Sequence, residues 1–229
     1  MRLSAAEWQA LVLSFQVSAT AVACALPVAV ACAYLLARGR FPGKAVVDGL
    51  IHLPLVLPPV VMGYLLLVVF GTRGPVGGWL LETFGVRFVF SWTGAALAAA
   101  VVTFPFQVRA IRLALEAVDP GLLDAAATLG AGPLDRFWNV SLPLALPGVV
   151  AGAITAFAAS LGEFGAIITF VSNVPGETRT LPLAIYTALQ TPDGEAMAAR
   201  LAGLSIVLAL AGLTASELAA RRLRRMTDP

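Results

Sequence analysis

The charged residues of this 229-residue chain are separated by long apolar stretches that carry no charge. Four charge-free stretches, between residues 7 and 38, 48 and 73, 87 and 109, and 136 and 163, can each cross the hydrocarbon core of a bilayer, which needs about 20 apolar residues. A fifth, between 200 and 217, is shorter. Open structures can cross lipid only as helices, because the bilayer offers no partner to an unpaired backbone group. The pattern therefore predicts an all-α, polytopic membrane protein.

Composition supports this class and argues against others. Hydrophobic residues make up 59% of the chain and charged residues 12%, about half the charged share of an ordinary soluble domain. The net charge of +2 is too small to indicate a nucleic-acid partner. We expect one transmembrane domain over residues 1–229 in contact with the lipid bilayer. Its five predicted transmembrane helices cover residues 8–37, 50–70, 92–110, 144–170 and 201–220.

Basic residues predict the orientation of these spans. One set of connections carries Arg38, Arg40, Lys44, Arg109, Arg112, Arg136 and the tail arginines 221, 222, 224 and 225. The opposite set carries only Arg2, Arg73, Arg87, Arg179 and Arg200. Because the cytoplasmic side of a membrane protein is enriched in lysine and arginine, the first set should face the cytoplasm. The N-terminus is then outside and the C-terminus inside.

Residues for catalysis or cofactor binding are sparse. A phosphate-binding loop needs a lysine with glycines at fixed spacing, and the only lysine, Lys44, has Arg38 where the first glycine belongs. Cys24 and Cys32 lie in the first span as small apolar residues. His52, the only histidine, has no serine–aspartate arrangement around it in the sequence. We expect no catalytic residue, no metal and no cofactor on this chain.

One cytoplasmic connection, residues 116–143, has a distinctive pattern. Asp119 and Pro120 are typical of the start of a helix, and Gly130 is typical of its end. Gly132 and Pro133 then begin a second short helix, to about residue 140. The predicted loop is therefore helix–glycine turn–helix, and its apolar side chains indicate that it docks on a partner.

The same loop resembles a known signature. Permease subunits of bacterial ABC importers carry Glu-Ala-Ala, three residues, Gly, nine residues and Ile-x-Leu-Pro. This chain keeps every spacing, with Asp for Glu and Val for Ile. The matching residues are Asp124, Ala125, Ala126, Gly130, Val140, Leu142 and Pro143. The resemblance implies the type I ABC importer permease fold and a coupling loop in a cleft of a separate ATPase subunit, where Asp124 pairs with a basic group.

Three further segments, residues 53–64, 160–165 and 173–182, are similar to the molybdate permeases. This resemblance implies a permease homodimer joined to two ABC ATPase subunits in the bacterial inner membrane, with molybdate delivered by a periplasmic binding protein. Tungstate or sulfate/thiosulfate import is the alternative within the class. A passive anion channel, which needs no ATP, is the alternative outside it.

Pathway residues are predicted only as candidates. An oxyanion needs hydrogen-bond donors in the membrane, and Thr103, Thr155 and Ser160 supply hydroxyls, although a bond back to the residue's own helix is the simpler interpretation of each. Arg109 lies at the inner end of the third span. Glu163 is the acidic residue deepest in an apolar run, and we expect a structural or gating role for it. The outer loop, 171–200, should hold a short helix over 182–190.

Overall fold

The computed structural model describes residues 3–227 and the side chains among them other than those at positions 213, 216 and 219–227. The described residues form helices and their connections. In chain order the helices are α1 (Ala5–Arg38), α2 (Lys44–Val56), α3 (Pro59–Phe70), α4 (Pro75–Phe84), α5 (Trp92–Glu116), α6 (Pro120–Thr128), α7 (Pro133–Arg136), α8 (Leu142–Leu161), α9 (Gly165–Val171), α10 (Leu181–Leu189) and α11 (Glu195–Thr227). The tail arginines lie outside the described side chains.

Four helical segments of the described chain are long and apolar enough to cross a membrane. They are α1, α5, the continuous run Pro133–Leu161, and the Glu195–Gly212 part of α11. The first begins with the capping box expected from its sequence. The Glu7 amide donates to the Ser4 hydroxyl at 3.3 Å, and the Ser4 amide donates to the Glu7 carboxylate at 2.7 Å.

The predicted span 50–70 is not a single helix. It divides into α2 and α3, which meet at 117° and count as a fifth span only if the bent pair is taken together. Leu57 and Pro58 form the break. Two consecutive prolines follow Leu57, and each lacks the N–H that an uninterrupted helix would require there. This corrects the sequence-based expectation.

The predicted span 144–170 is also interrupted. A π-helical segment, Phe137–Ser141, joins α7 directly to α8, so the membrane helix begins at Pro133 rather than near Pro143. At its other end α8 stops at Leu161, and α9 starts after a three-residue break. The second short helix predicted in the loop is therefore the beginning of this continuous helical run.

On the side of the fold that holds the N-terminus, one short helix matches the prediction and another does not. Helix α10, at Leu181–Leu189, confirms the helix expected over 182–190. Helix α4 occupies a stretch that the sequence analysis treated as connection. Gly74 and Pro75 begin it, and Gly85, with a φ of +67°, ends it. Those are ordinary start and stop signals.

The centre of the bundle is made by α1, α5 and α8, which pack through small residues. Ala29, Ala33 and Ala145 are fully buried in this interface. A Cβ added to Gly148 would lie 2.3 Å from the Cβ of Ala114, so α8 approaches α5 more closely than any side chain would permit. The connection between α5 and α8 is thus held by a tightly packed three-helix core.

Candidate functional site

The connection between α5 and α8 has the helix–glycine turn–helix structure predicted for it. The Asp119 carboxylate accepts the Gly121 amide at 2.8 Å, and Pro120 occupies the first turn of α6. Gly130 has a φ of +89°, and the Ala131 amide returns to the Ala126 carbonyl at 3.0 Å. These contacts are local, and each confirms a sequence signal.

This loop projects from the bundle. Helix α6 has no buried residue among its nine. Asp124 and Ala125 are exposed, and Ala126 is half-buried. Large apolar side chains nearby are also open, with 88% of Leu129 and 75% of Leu134 exposed. An apolar surface of this kind around a short helix is typical of a contact with another protein.

The last signature residues lie where the loop enters the membrane helix. Val140 and Leu142 are half-buried and Pro143 is exposed, at the junction of the π-helical segment and α8. The ring of Phe137 packs edge-on against Tyr34 of α1, with centroids 4.8 Å apart. Single π turns inside helices recur at functional sites. Here the π turn makes the end of the loop continuous with α8.

Arg38, at the end of α1, holds the start of the loop. Its Nη2 donates to the Leu115 carbonyl at 2.9 Å and to the Val118 carbonyl at 3.1 Å. The Leu115 carbonyl is in the last turn of α5, where helical hydrogen bonds run out, and Val118 lies two residues beyond that helix. A cation at a helix C-terminus is also favoured by the helix dipole.

A second link joins α2 to the same end of α5. Arg112 contacts the Asp48 carboxylate at 3.0 Å and the Glu116 carboxylate at 2.7 Å, and His52 Nδ1 lies 3.2 Å from Asp48. Sequence reasoning treated Arg112 and His52 as separate interfacial residues and missed the network. The spacing of four within each helix was a visible signal, whereas the pairing across 64 residues was not. Arg109 is exposed and lines a cavity of about 280 Å³ beside these groups.

The candidate pathway hydroxyls have different environments. Thr103 is buried and donates to the Ala99 carbonyl at 2.8 Å, in agreement with the simpler interpretation. Ser160 is buried, and its hydroxyl has no hydrogen-bond partner in the described part of the chain. Thr155 is exposed on α8. These three residues therefore do not form one polar cluster by mutual hydrogen bonds.

Glu163 caps a helix inside the break between α8 and α9. Its Oε1 accepts the Ala166 amide at 2.8 Å, and the residue is 8% exposed. No basic side chain pairs with it among those described, and its carboxylate is satisfied by a backbone amide. Gly165 beside it would place a Cβ 2.8 Å from Pro59, so the close approach is to α3 of the same chain.

Gln107 was not singled out from the sequence. It is fully buried on α5 against Gly152, and neither atom of its amide has a partner within the described residues. Buried amides without partners are uncommon in folded proteins. Its only sequence signal is its presence in the uncharged run before Arg109.

Comparison with known proteins gives consistent matches along the chain. Residues 25–225 match the family model described as the binding-protein-dependent transport system inner membrane component. The chain is 59% identical over 221 residues, 96% of each chain, to the molybdenum transport system permease protein ModB of Escherichia coli K12. It is 52% identical to the ModB protein of Haemophilus influenzae, again over 96% of each chain. The sulfate transport system permease protein CysT of Escherichia coli is 38% identical over 77% of this chain and 64% of its own length.

Solved structures share the fold at low identity. A bacterial alginate ABC transporter, in complex with alginate pentasaccharide-bound periplasmic protein, superposes with a TM-score of 0.75 at 18% identity, covering 96% of this chain and 80% of the other. The inward-facing MetNI methionine ABC transporter gives 0.69 at 19% identity, covering 95% and 94%. These superpositions, taken with the family match over residues 25–225, show that the fold is that of a type I ABC importer permease. The chain belongs to the family of binding-protein-dependent transport system inner membrane components.

Proposed function

We propose that this chain is the permease subunit of an ATP-driven molybdate importer. Its 59% identity to a molybdenum transport permease over nearly the full length supports the cargo. The observation that carries the mechanism is the projecting loop between α5 and α8, whose short helix has no buried residue. The chain itself is not catalytic, and ATP hydrolysis belongs to a separate partner chain.

Two ABC ATPase subunits dock on the loops of two permease copies in this proposal. Leu129 and Leu134 offer apolar contact, and exposed Asp124 offers a carboxylate to a basic group of the ATPase. Aspartate is one methylene shorter than the family's usual glutamate. ATP binding draws the ATPases together, and the loop then pulls α8 through the π-helical junction.

The second permease copy covers the faces of α2 and α3. Helix α2 has no buried residue in the single chain. Val56 of α2 is 81% exposed and Tyr64 of α3 is 59% exposed. A homodimer places these apolar faces against each other and encloses a pathway between the copies. Ser160, Thr103, Thr155, Glu163 and Arg109 remain its candidate lining, with Arg109 at the cytoplasmic exit.

The arrangement in the membrane follows from the same proposal. The loop with Asp124 faces the cytoplasm, where ATP is available. The N-terminus of α1 and the segment holding α10 then face the periplasm, where a molybdate-binding protein delivers the anion. This orientation agrees with the excess of basic residues near the loop.

Uptake by the assembled transporter tests the cargo. Proteoliposomes containing the permease, its ATPases and the binding protein should accumulate labelled molybdate only with internal ATP. Excess tungstate should compete, because it is nearly identical in size and charge, whereas excess sulfate should not. Strong inhibition by sulfate would instead favour sulfate transport, the activity for which the 38% identical relative is named. Flux without ATP would indicate a passive channel.

Substitution of Asp124 tests the docking. Asp124→Ala should lower both molybdate uptake and permease-stimulated ATP hydrolysis, while Asp124→Glu should retain them. The matched control is Glu82→Ala, an acidic residue on α4 far along the chain from the loop. Equal activity of Asp124→Ala and the control would contradict a role for this carboxylate.

A further inference from the structure

A long groove lies between α1 and the junction of α7 with α8. Its volume is about 1030 Å³, and its walls are almost entirely apolar. Leu26, Val30 and Leu35 form one wall, while Trp138, Leu142 and Leu146 belong to the other. Several of these side chains are open to the surroundings, including 61% of Trp138.

The dimensions of the groove match one leaflet of a bilayer. It follows α1 from Leu26 to Arg38, which is roughly 18 Å at the helical rise of 1.5 Å per residue. Half of the hydrocarbon core is about 15 Å thick. An apolar groove of this length accommodates an extended acyl chain.

One end of the groove is basic and has unused hydrogen-bond donors. Arg38 lines this end, and its Nε is buried without a partner among the described residues. Arg40 follows Gly39 there, and Arg136 directly precedes Phe137 on the opposite wall. No acidic residue lines the groove within the part of the chain that the structure describes.

Two aromatic side chains lie beside the basic end. Tyr34 is one turn before Arg38, and neither its hydroxyl nor the indole N–H of Trp138 has a hydrogen-bond partner in the described part of the chain. Tyrosine and tryptophan are enriched where the membrane meets water, because one end of each is apolar and the other polar. Their position at the basic end of the groove therefore indicates the depth in the membrane at which the ester groups of a bound lipid would lie.

We propose that this groove binds an anionic phospholipid. The acyl chain lies against Leu26, Val30 and Leu146, and the phosphate lies at Arg38 and Arg40. A bound lipid would bridge α1 to the π-helical junction through Tyr34, Phe137 and Trp138. It would therefore stabilise the position from which the coupling loop projects. The inference needs only a bilayer, so its failure would leave the proposed cargo untouched.

Fluorescence quenching by brominated lipid tests the proposal. The chain has four tryptophans. A full-length variant with Trp8, Trp79 and Trp92 changed to Phe keeps Trp138 as its only indole. In phosphatidylcholine vesicles, brominated phosphatidylglycerol should quench Trp138 at least about fivefold more effectively than brominated phosphatidylcholine at equal mole fraction, because each of the two basic contacts at the surface contributes about that factor.

Matched variants separate the groove from the general membrane surface. Ala31→Phe fills the groove and should abolish the preference, whereas Ala23→Phe, at an exposed alanine of α1 outside it, should not. Arg40→Gln should reduce the preference, and Arg73→Gln, in the exposed connection between α3 and α4, should leave it unchanged.

The possible results are distinct. Equal quenching by the two lipids would overturn the anionic selectivity, and quenching by neither would show that protein covers the groove. If the triple tryptophan variant does not fold, native mass spectrometry of the wild-type chain serves instead. It should retain phosphatidylglycerol over phosphatidylcholine, and Ala31→Phe should lose that retention. Equal retention of both lipids would overturn the proposal.

Discussion

The loop between α5 and α8 and the two broken membrane spans both depend on glycine, but they use it differently. Gly130 in the loop has a φ of +89°, and a Cβ there would meet nothing within 4 Å. Gly63 and Gly165, on α3 and α9, have no left-handed backbone, yet a Cβ on either would collide with the facing helix at 2.7–2.8 Å. The loop needs glycine for its backbone conformation, whereas the spans need it for close packing.

The two regions differ because different kinds of contact determine their structures. The loop is shaped by contacts between near neighbours in the sequence and leaves its surface free for another protein. The broken spans are shaped by contacts between distant segments, and these contacts leave no space for a side chain at Gly63 or Gly165. Substitutions in the loop should therefore affect coupling more than folding, and substitutions in the spans should do the opposite.

The largest effect is expected at Gly130. Gly130→Val should reduce coupled molybdate uptake at least about tenfold, because a left-handed conformation costs an ordinary residue on the order of 1–2 kcal/mol and a β-branched one more. Gly132→Val is the matched control, since Gly132 has a φ of −69° and equally open space. ATP hydrolysis should persist without transport. Normal molybdate uptake by the Gly130→Val variant would contradict the proposal that this loop is the coupling element.

The next largest effect is expected where α3 packs closely against α9. Gly63→Ala places a methyl group 2.7 Å from the Ala166 carbonyl oxygen and from Thr169 Cβ. Overpacking of this kind costs about 1–3 kcal/mol, and thermal unfolding in detergent should report it as a lowered midpoint.

Gly49→Ala on α2 is the control for that change. Nothing lies within 4 Å of its added Cβ, so alanine's higher helix propensity should leave stability equal or raised by roughly 0.5–1 kcal/mol. Equal behaviour of the two variants would show that the α3–α9 contact is looser than the structure indicates.

A smaller effect is expected at the cap of α9. Glu163→Ala removes the acceptor of the Ala166 amide and should cost about 1 kcal/mol of stability. Glu163→Gln keeps an amide oxygen in the same place and should cost little. If both variants lose the same stability or transport, the charge of Glu163 matters, and its role is not the cap alone.

The smallest effect is expected between α2 and α5. A double-mutant cycle on Arg112→Gln and Asp48→Asn should give a coupling of roughly 0.5 kcal/mol, because both side chains are partly exposed and solvent screens the pair. The cycle sharpens the comparison, since this is a contact between distant segments beside the start of the loop. A coupling energy indistinguishable from zero would mean that the hydrogen bonds from Arg38 are the main contacts that hold the end of α5.

Much of the loop could be predicted because its signals act over a few residues. Asp119 caps the amide of Gly121, two positions away, and Gly130 ends the helix through its own backbone. The membrane class was also determined by sequence alone, since charges are excluded from hydrocarbon wherever the chain folds. Helix α4 had comparable signals in Gly74, Pro75 and Gly85, which the sequence analysis did not use.

Tertiary structure alone decided the features that join distant segments. The 117° bend between α2 and α3 is compatible with Pro58 and Pro59, but neither proline predicts the close packing of α9 against Gly63 that accompanies it. The bond from Arg38 to the Leu115 carbonyl joins residues 77 positions apart. A sequence states which residues can donate, accept or approach closely. Which partner each one meets depends on the packing of the whole bundle, and no local pattern contains that information.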